Sequence, residues 1–152
     1  MTQITSIQFR LITGNVDGAS TDGDVYLGVC GREFYVDSSA NDFQQGSSRL
    51  YIFGVGANVL NPANNDPRKQ SLQIESVDNF PVYLRFQPQS RSDNWNVQRA
   101  EVSFNGNFFP RWDTASFVSQ RTGIWMGTRS GLFLHIPRHQ DGPSVAEAEQ
   151  PE

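Results

Sequence analysis

Eight short runs rich in Val, Ile, Phe and Tyr recur along this chain, and none carries sustained helical periodicity. They are IQFRLIT (7–13), VYLGV (25–29), REFYVD (32–37), RLYIFGV (49–55), SLQIES (71–76), VYLRFQ (82–87), VQRAEVSFN (97–105) and LFLHI (132–136). Alternation by twos marks several as half-buried strands: Val25, Leu27 and Val29 share one face, as do Leu72 and Ile74, and Val102 and Phe104. Clusters of Gly, Asn, Asp, Pro and Ser separate the runs. Cys30-Gly31 and Asn105-Gly106 fit the tight turns of hairpins. Short strands spaced in this way, with turn signals between them, predict an all-β fold: an antiparallel eight-stranded β-sandwich. Its core is expected to hold Val25, Leu27, Val29, Phe34, Val36, Ile52, Leu84, Phe86, Val102 and Phe104, with Phe9 and Phe43. The polar stretch 57–70 reads as a long connection containing at most a short helical turn. After Pro137 the chain turns polar, so residues 1–137 are expected to form the domain and 138–152 a flexible tail.

Charge narrows the class of partner. Twelve basic residues against 16 acidic ones leave a formal net charge of −4, which argues against nucleic acid as a partner. Cys30 is the single cysteine, so neither an intrachain disulfide nor a cysteine-based zinc site is available, and a small buried thiol is expected. No apolar run approaches the length of a transmembrane segment, and the N-terminus lacks a signal pattern. A cytoplasmic or peripheral-membrane location is therefore expected. Catalytic residues are not expected either. His135 and His139 are the only histidines and have Pro137 between them, and no G-x-S-x-G, H-E-x-x-H or phosphate-loop motif occurs.

Two acidic clusters rich in Gly, Ser and Asn, Asp17 to Asp24 and Asp37 to Asp42, bracket the segments VYLGV and REFYV. Chain that leaves one end of a sandwich and returns puts both clusters at that end. Carboxylate and amide oxygens on such loops suit a hard cation such as calcium. The same residue types also cap turns with their own side chains, so both roles stand open at this point.

The order of these features resembles the PLAT (lipoxygenase-homology) domain family over roughly residues 5–105. The resemblance is carried by TG at 13–14, TD at 21–22, VYLGV, the REF…VD hairpin, NDF at 41–43, GS at 46–47, Y.F at 51–53, FPVYLRF at 80–86 and DNWNVQRAEV at 93–102. It implies a PLAT-type sandwich acting as a non-catalytic binding module. By position, it implies Ca²⁺ ligands at Ser20 (through its carbonyl), Thr21, Asp22, Asp37, Asn41, Asp42, Asp93 and Asn94, with Asp17 and Asp24 as substitutes. Trp95, beside the last of these, is the candidate lipid contact, while Trp112 and Trp125 remain ambiguous. The implied partner is an anionic lipid or membrane surface. Alternatives are a protein partner, with the chain serving as an accessory subunit, and a carbohydrate.

Overall fold

The computed structural model describes residues 1–116 and 122–139, so residues 140–152 of the expected tail lie outside the described residues. Nine strands form two antiparallel sheets. They are β1 (Ser6–Thr13), β2 (Asp24–Val29), β3 (Arg32–Tyr35), β4 (Ser48–Gly54), β5 (Tyr83–Gln87), β6 (Trp95–Phe104), β7 (Asn107–Asp113), β8 (Ile124–Met126) and β9 (Phe133–His135). One sheet runs β4-β1-β6-β7 with β8 on the start of β6, and the other runs β3-β2-β5-β9. The inward residues of both sheets make one core, in which Phe9, Val25, Leu27, Phe53, Leu84, Phe86, Val102 and Phe104 are buried. The all-β sandwich expected from the sequence is the observed fold.

Turn chemistry explains the hairpins. Cys30 and Gly31 have φ of 54° and 74°, and Asn105 and Gly106 have 57° and 74°. Two positive φ values in succession match the twist of the flanking strands. Asn105 also accepts the Thr5 and Ser6 amides at 2.7 and 3.2 Å through Oδ1, tying this turn to the start of β1. Cys30 is buried, and burial pushes its thiol pKa up.

Three local readings need correction. Ile52 is only half-buried, while Tyr51 and Phe53 on either side face the core. Leu50 to Phe53 are all apolar, so the alternation in this run has no phase of its own. Pairing with β1 (Phe9 with Tyr51, Ile7 with Phe53) sets it. The segment 71–76 is not a strand. Its backbone bridges the N-terminus, with Ile4 N–H donating to Leu72 O and Ile74 N–H to Thr2 O, and Ile74–Asn79 then forms a 3₁₀ turn. Conversely, β7 (NFFPRWD) is a strand outside the eight runs, and it accommodates Pro110. It lies at a sheet edge, where a proline leaves no central ladder bond unmade. The connection 57–70 holds two short 3₁₀ turns, Pro62–Asn65 and Pro67–Gln70. At the other end of the chain, Arg138 still bridges Trp112, and His139 N–H donates to Arg111 O.

Strand register fixes where the loops meet. Ile12 pairs with Ser48, Thr13 with Val97, Asp24 with Gln87 and Trp95 with Met126. Loops 14–23, 36–47, 88–94 and 127–132 consequently gather at one end of the sandwich. Among the described residues, no helix is long and apolar enough to cross a membrane.

Candidate cation-binding end of the sandwich

Loops 14–23 and 36–47 enclose a cleft of about 250 Å³ lined by Thr21, Asp22, Asp24, Asp37, Asn41 and Asp42, among others. Asp22 and Asn41 are exposed, Asp24 and Asp37 half-buried, and Thr21 and Asp42 buried. The buried members are held by the protein itself. Asp42 Oδ1 accepts the Ser38 hydroxyl at 2.6 Å and the Tyr51 hydroxyl at 2.8 Å, and its Oδ2 accepts the Ser38 amide at 2.9 Å. Arg49 Nε lies 3.5 Å from the same carboxylate. Burial and the Asp42 charge push the Tyr51 hydroxyl pKa far up, so it stays a proton donor to Asp42.

Asp37 is the electrostatically stressed member. Burial, and then the neighbouring Asp42 carboxylate, raise its pKa above the usual carboxylate range, and Asp24 adds to the effect. The Ser38 amide, 2.9 Å from Asp37 Oδ1, opposes that shift in part. Asp24 Oδ1 accepts the Tyr35 hydroxyl at 2.8 Å. A side chain buried in the core anchors the second loop: Phe43 has φ of 60°, a conformation costly for a bulky residue, and its ring packs 5.4 Å from that of Trp95.

The remaining sequence-predicted ligands sit elsewhere. Ser20 does not line the cleft, and its Oγ accepts the Gln45 amide at 2.6 Å, joining the two loops. Asp93 does not line the cleft. Its carboxylate oxygens lie 2.8 and 2.9 Å from Thr21 Oγ1, and one also accepts the Gln89 amide at 2.8 Å. Asn94 lines a second cleft with Arg91, Ser92, Arg129 and Ser130. Asp17 is exposed and also lies off the first cleft.

Trp95 is a correction. It is fully buried, its Nε1 donates to Thr13 Oγ1 at 3.0 Å, and Phe43 and Phe86 pack against it. With its polar tip satisfied inside, the indole belongs to the core and is no lipid contact. Trp112 is buried too, whereas Trp125 is 40% exposed.

The donors are of the right kind for calcium: exposed or half-buried carboxylates at Asp22, Asp24 and Asp37, an amide at Asn41, and no lysine among the lining residues. Burial and the neighbouring Asp42 together disfavour a charge on Asp37, and the Arg49 guanidinium reaches only the Asp42 side of the cluster. Yet among the described residues, no three His, Cys, Asp or Glu side chains converge into a preformed metal cluster.

Solved structures with the same fold extend the comparison. Clostridium perfringens alpha-toxin from an avian strain matches with a TM-score of 0.61 at 20% identity, over 89% of this chain and 32% of the toxin. The alpha-toxin of Clostridium absonum matches with a TM-score of 0.60 at 14% identity, over 88% of this chain and 31% of that one. A coral 8R-lipoxygenase, described as activated by calcium via a C2-like domain, matches with a TM-score of 0.57 at 13% identity, over 95% of this chain and 19% of the lipoxygenase. No protein-family model matches the sequence, and a search of curated proteins gives no significant match. The architecture is that of a PLAT-type β-sandwich. The chain spans about a fifth to a third of the length of the proteins it matches.

Proposed function

We propose that this chain is a non-catalytic binding module that associates peripherally with anionic lipid surfaces, assisted by calcium in the cleft of Asp22, Asp24, Asp37, Asn41 and Asp42. The observation that carries the reading is this acidic cleft, placed at one end of a PLAT-type sandwich, with the Asp37 pKa raised by burial and then by Asp42. Calcium would draw the exposed Asp22 and Asn41 toward Asp37, relieve the repulsion there, and cancel charge that keeps anionic lipid away. The coral lipoxygenase's calcium-responsive C2-like domain supports the same direction.

Sedimentation with phosphatidylserine-containing vesicles tests this reading. Clearly greater recovery with the vesicles in calcium than in chelator is the expected result. Equal recovery in both conditions would reject it.

Protein docking is the second reading, supported by Phe108 and Phe109 on the edge strand β7, which are 58% and 51% exposed. On that reading the chain serves as an accessory subunit to a partner.

A further inference from the structure

The second cleft at the loop end, about 490 Å³, is lined by Arg91, Ser92, Asn94, Arg129 and Ser130 and has no carboxylate in its wall. Arg49, Arg68, Arg85, Arg99, Arg111 and Arg138 all form ion pairs with Asp or Glu. Arg91 and Arg129 are exposed, and neither makes an ion pair or hydrogen bond among the described residues. In a chain of net charge −4, two uncompensated guanidinium groups on one cleft are a local reversal of sign.

The cleft is held open by structure on both sides. Asp93, between Ser92 and Asn94, turns its carboxylate away to Thr21 and the Gln89 amide, and its own amide donates to Ser90 O. The facing loop is a tight turn in which Gly127 and Gly131 exchange backbone hydrogen bonds and Ser130 N–H donates to Gly127 O. Asn94 Oδ1 lies where a Cβ on residue 127 would stand, so this side chain rests directly on Gly127 and joins the two loops. Side chains on either flank of the turn are apolar and exposed: Trp125, Leu132 and Phe133.

Planar forks of donors from two arginines, with serine hydroxyls and an amide beside them, are the chemistry that recognises a phosphate oxyanion. The geometry points to this cleft as a phosphate-binding site, separate from the acidic cleft and formed by Arg91 and Arg129. The site deepens the lipid reading, since a headgroup phosphate would dock there while Trp125, Leu132 and Phe133 meet the apolar layer. Its phosphate chemistry does not depend on calcium.

The test is run in chelator throughout, so that its failure is separate from a failure of the calcium reading. Amide chemical shifts are followed as inorganic phosphate is added at constant ionic strength, and sedimentation is measured with phosphatidylcholine vesicles containing phosphatidic acid. Both are repeated for the double variant Arg91→Gln/Arg129→Gln and for a charge-matched control, Arg32→Gln/Lys69→Gln. Loss of two charge-assisted contacts should weaken binding by about tenfold or more in the first variant and leave the control near wild type. A response to free phosphate at residues 91–94 and 129–130 identifies the soluble ion as sufficient. A vesicle response without it identifies the lipid headgroup. Absence of both responses, or an equal loss in the control, would overturn the site.

Discussion

The hydroxyl of Thr21 sits 2.8 and 2.9 Å from the two carboxylate oxygens of Asp93, and the Gly23 amide donates to that same hydroxyl at 2.9 Å. Two loops 72 residues apart are thereby locked together, one bordering the acidic cleft and the other carrying Arg91. Asp93 is thus occupied as a pin between loops before any cation arrives.

Asp93→Ala is therefore expected to cost stability whether or not calcium is present. It strands the Gln89 amide and the Thr21 hydroxyl, a loss of about 1–3 kcal/mol. Asp42→Ala should behave in the same way, because it removes the acceptor for Ser38 and Tyr51. Urea denaturation in calcium and in chelator checks this. A cost that vanished in chelator would mean that the carboxylate acts through the ion alone.

Asp22→Asn and Asp37→Asn should separate calcium binding from folding. In wild type, calcium in excess should raise the melting temperature, since an ion that binds only the folded state stabilises it. Both variants should lose most of that gain. Asp37→Asn should also stabilise the apo protein slightly, by no more than roughly 1 kcal/mol, because it removes a half-buried charge and its repulsion by Asp42. An apo protein destabilised by Asp37→Asn would contradict the penalty on that charge.

The pH dependence has a definite sign. The folded pKa of Asp37 is raised, so its contribution favours folding below the unfolded pKa and is lost as pH rises through the folded value. Calcium must displace whatever proton Asp37 holds, so its affinity should fall as pH drops through that raised value, with protons released on binding. Calorimetric titrations in buffers of different ionisation enthalpy count those protons. Uptake in place of release would refute the scheme.

Asp113 carries the opposite sign. Burial alone pushes its pKa up, but Arg99, 3.1 and 2.6 Å from its two oxygens, and the Ala115 amide bring it below the usual range. Its contribution is present above the unfolded pKa and lost as pH falls through the folded one. Asp113→Asn should cost about 2 kcal/mol near neutral pH, since it leaves Arg99 with only the more distant Glu101. The cost should shrink in acid, and stability curves of the two proteins that stayed parallel down to low pH would count against it.

How much of this was legible beforehand follows from how local each determinant is. The Cys30-Gly31 and Asn105-Gly106 turns depend on neighbouring residues, so composition alone marks them. The acidic cleft is legible for a related reason: its loops bracket one hairpin, so carboxylates near in sequence are also near in space. The phase of β4 was not legible, because an unbroken apolar run fits either face and only its pairing with β1 decides. Nor was the basic cleft. Arg91 in SRSDN and Arg129 in GTRSG are each an ordinary arginine in a polar turn until the β6–β8 pairing brings the turns together.

Trp95 makes the same point most sharply, and it yields the prediction that best separates packing from lipid contact. Its indole packs against Phe43 and Phe86, and Thr13, 82 residues earlier, supplies the hydrogen-bond acceptor for its Nε1. Trp95→Ala should therefore cost about 3–5 kcal/mol of stability, as large core truncations do. On the lipid reading, Trp125 and Phe133, 40% and 64% exposed beside the 127–132 turn, are the apolar side chains placed to act as anchors at the loop end. Changing either to Ala should alter stability by less than roughly 0.5 kcal/mol. Each should instead weaken vesicle binding about fivefold, a loss of about 1 kcal/mol that reflects partial transfer of a large side chain. Sedimentation and thermal melts on the three single variants decide the matter. Vesicle binding unchanged by both Trp125→Ala and Phe133→Ala would remove this face from the membrane and leave the aromatic edge at Phe108 and Phe109, with a protein partner, as the surface to pursue.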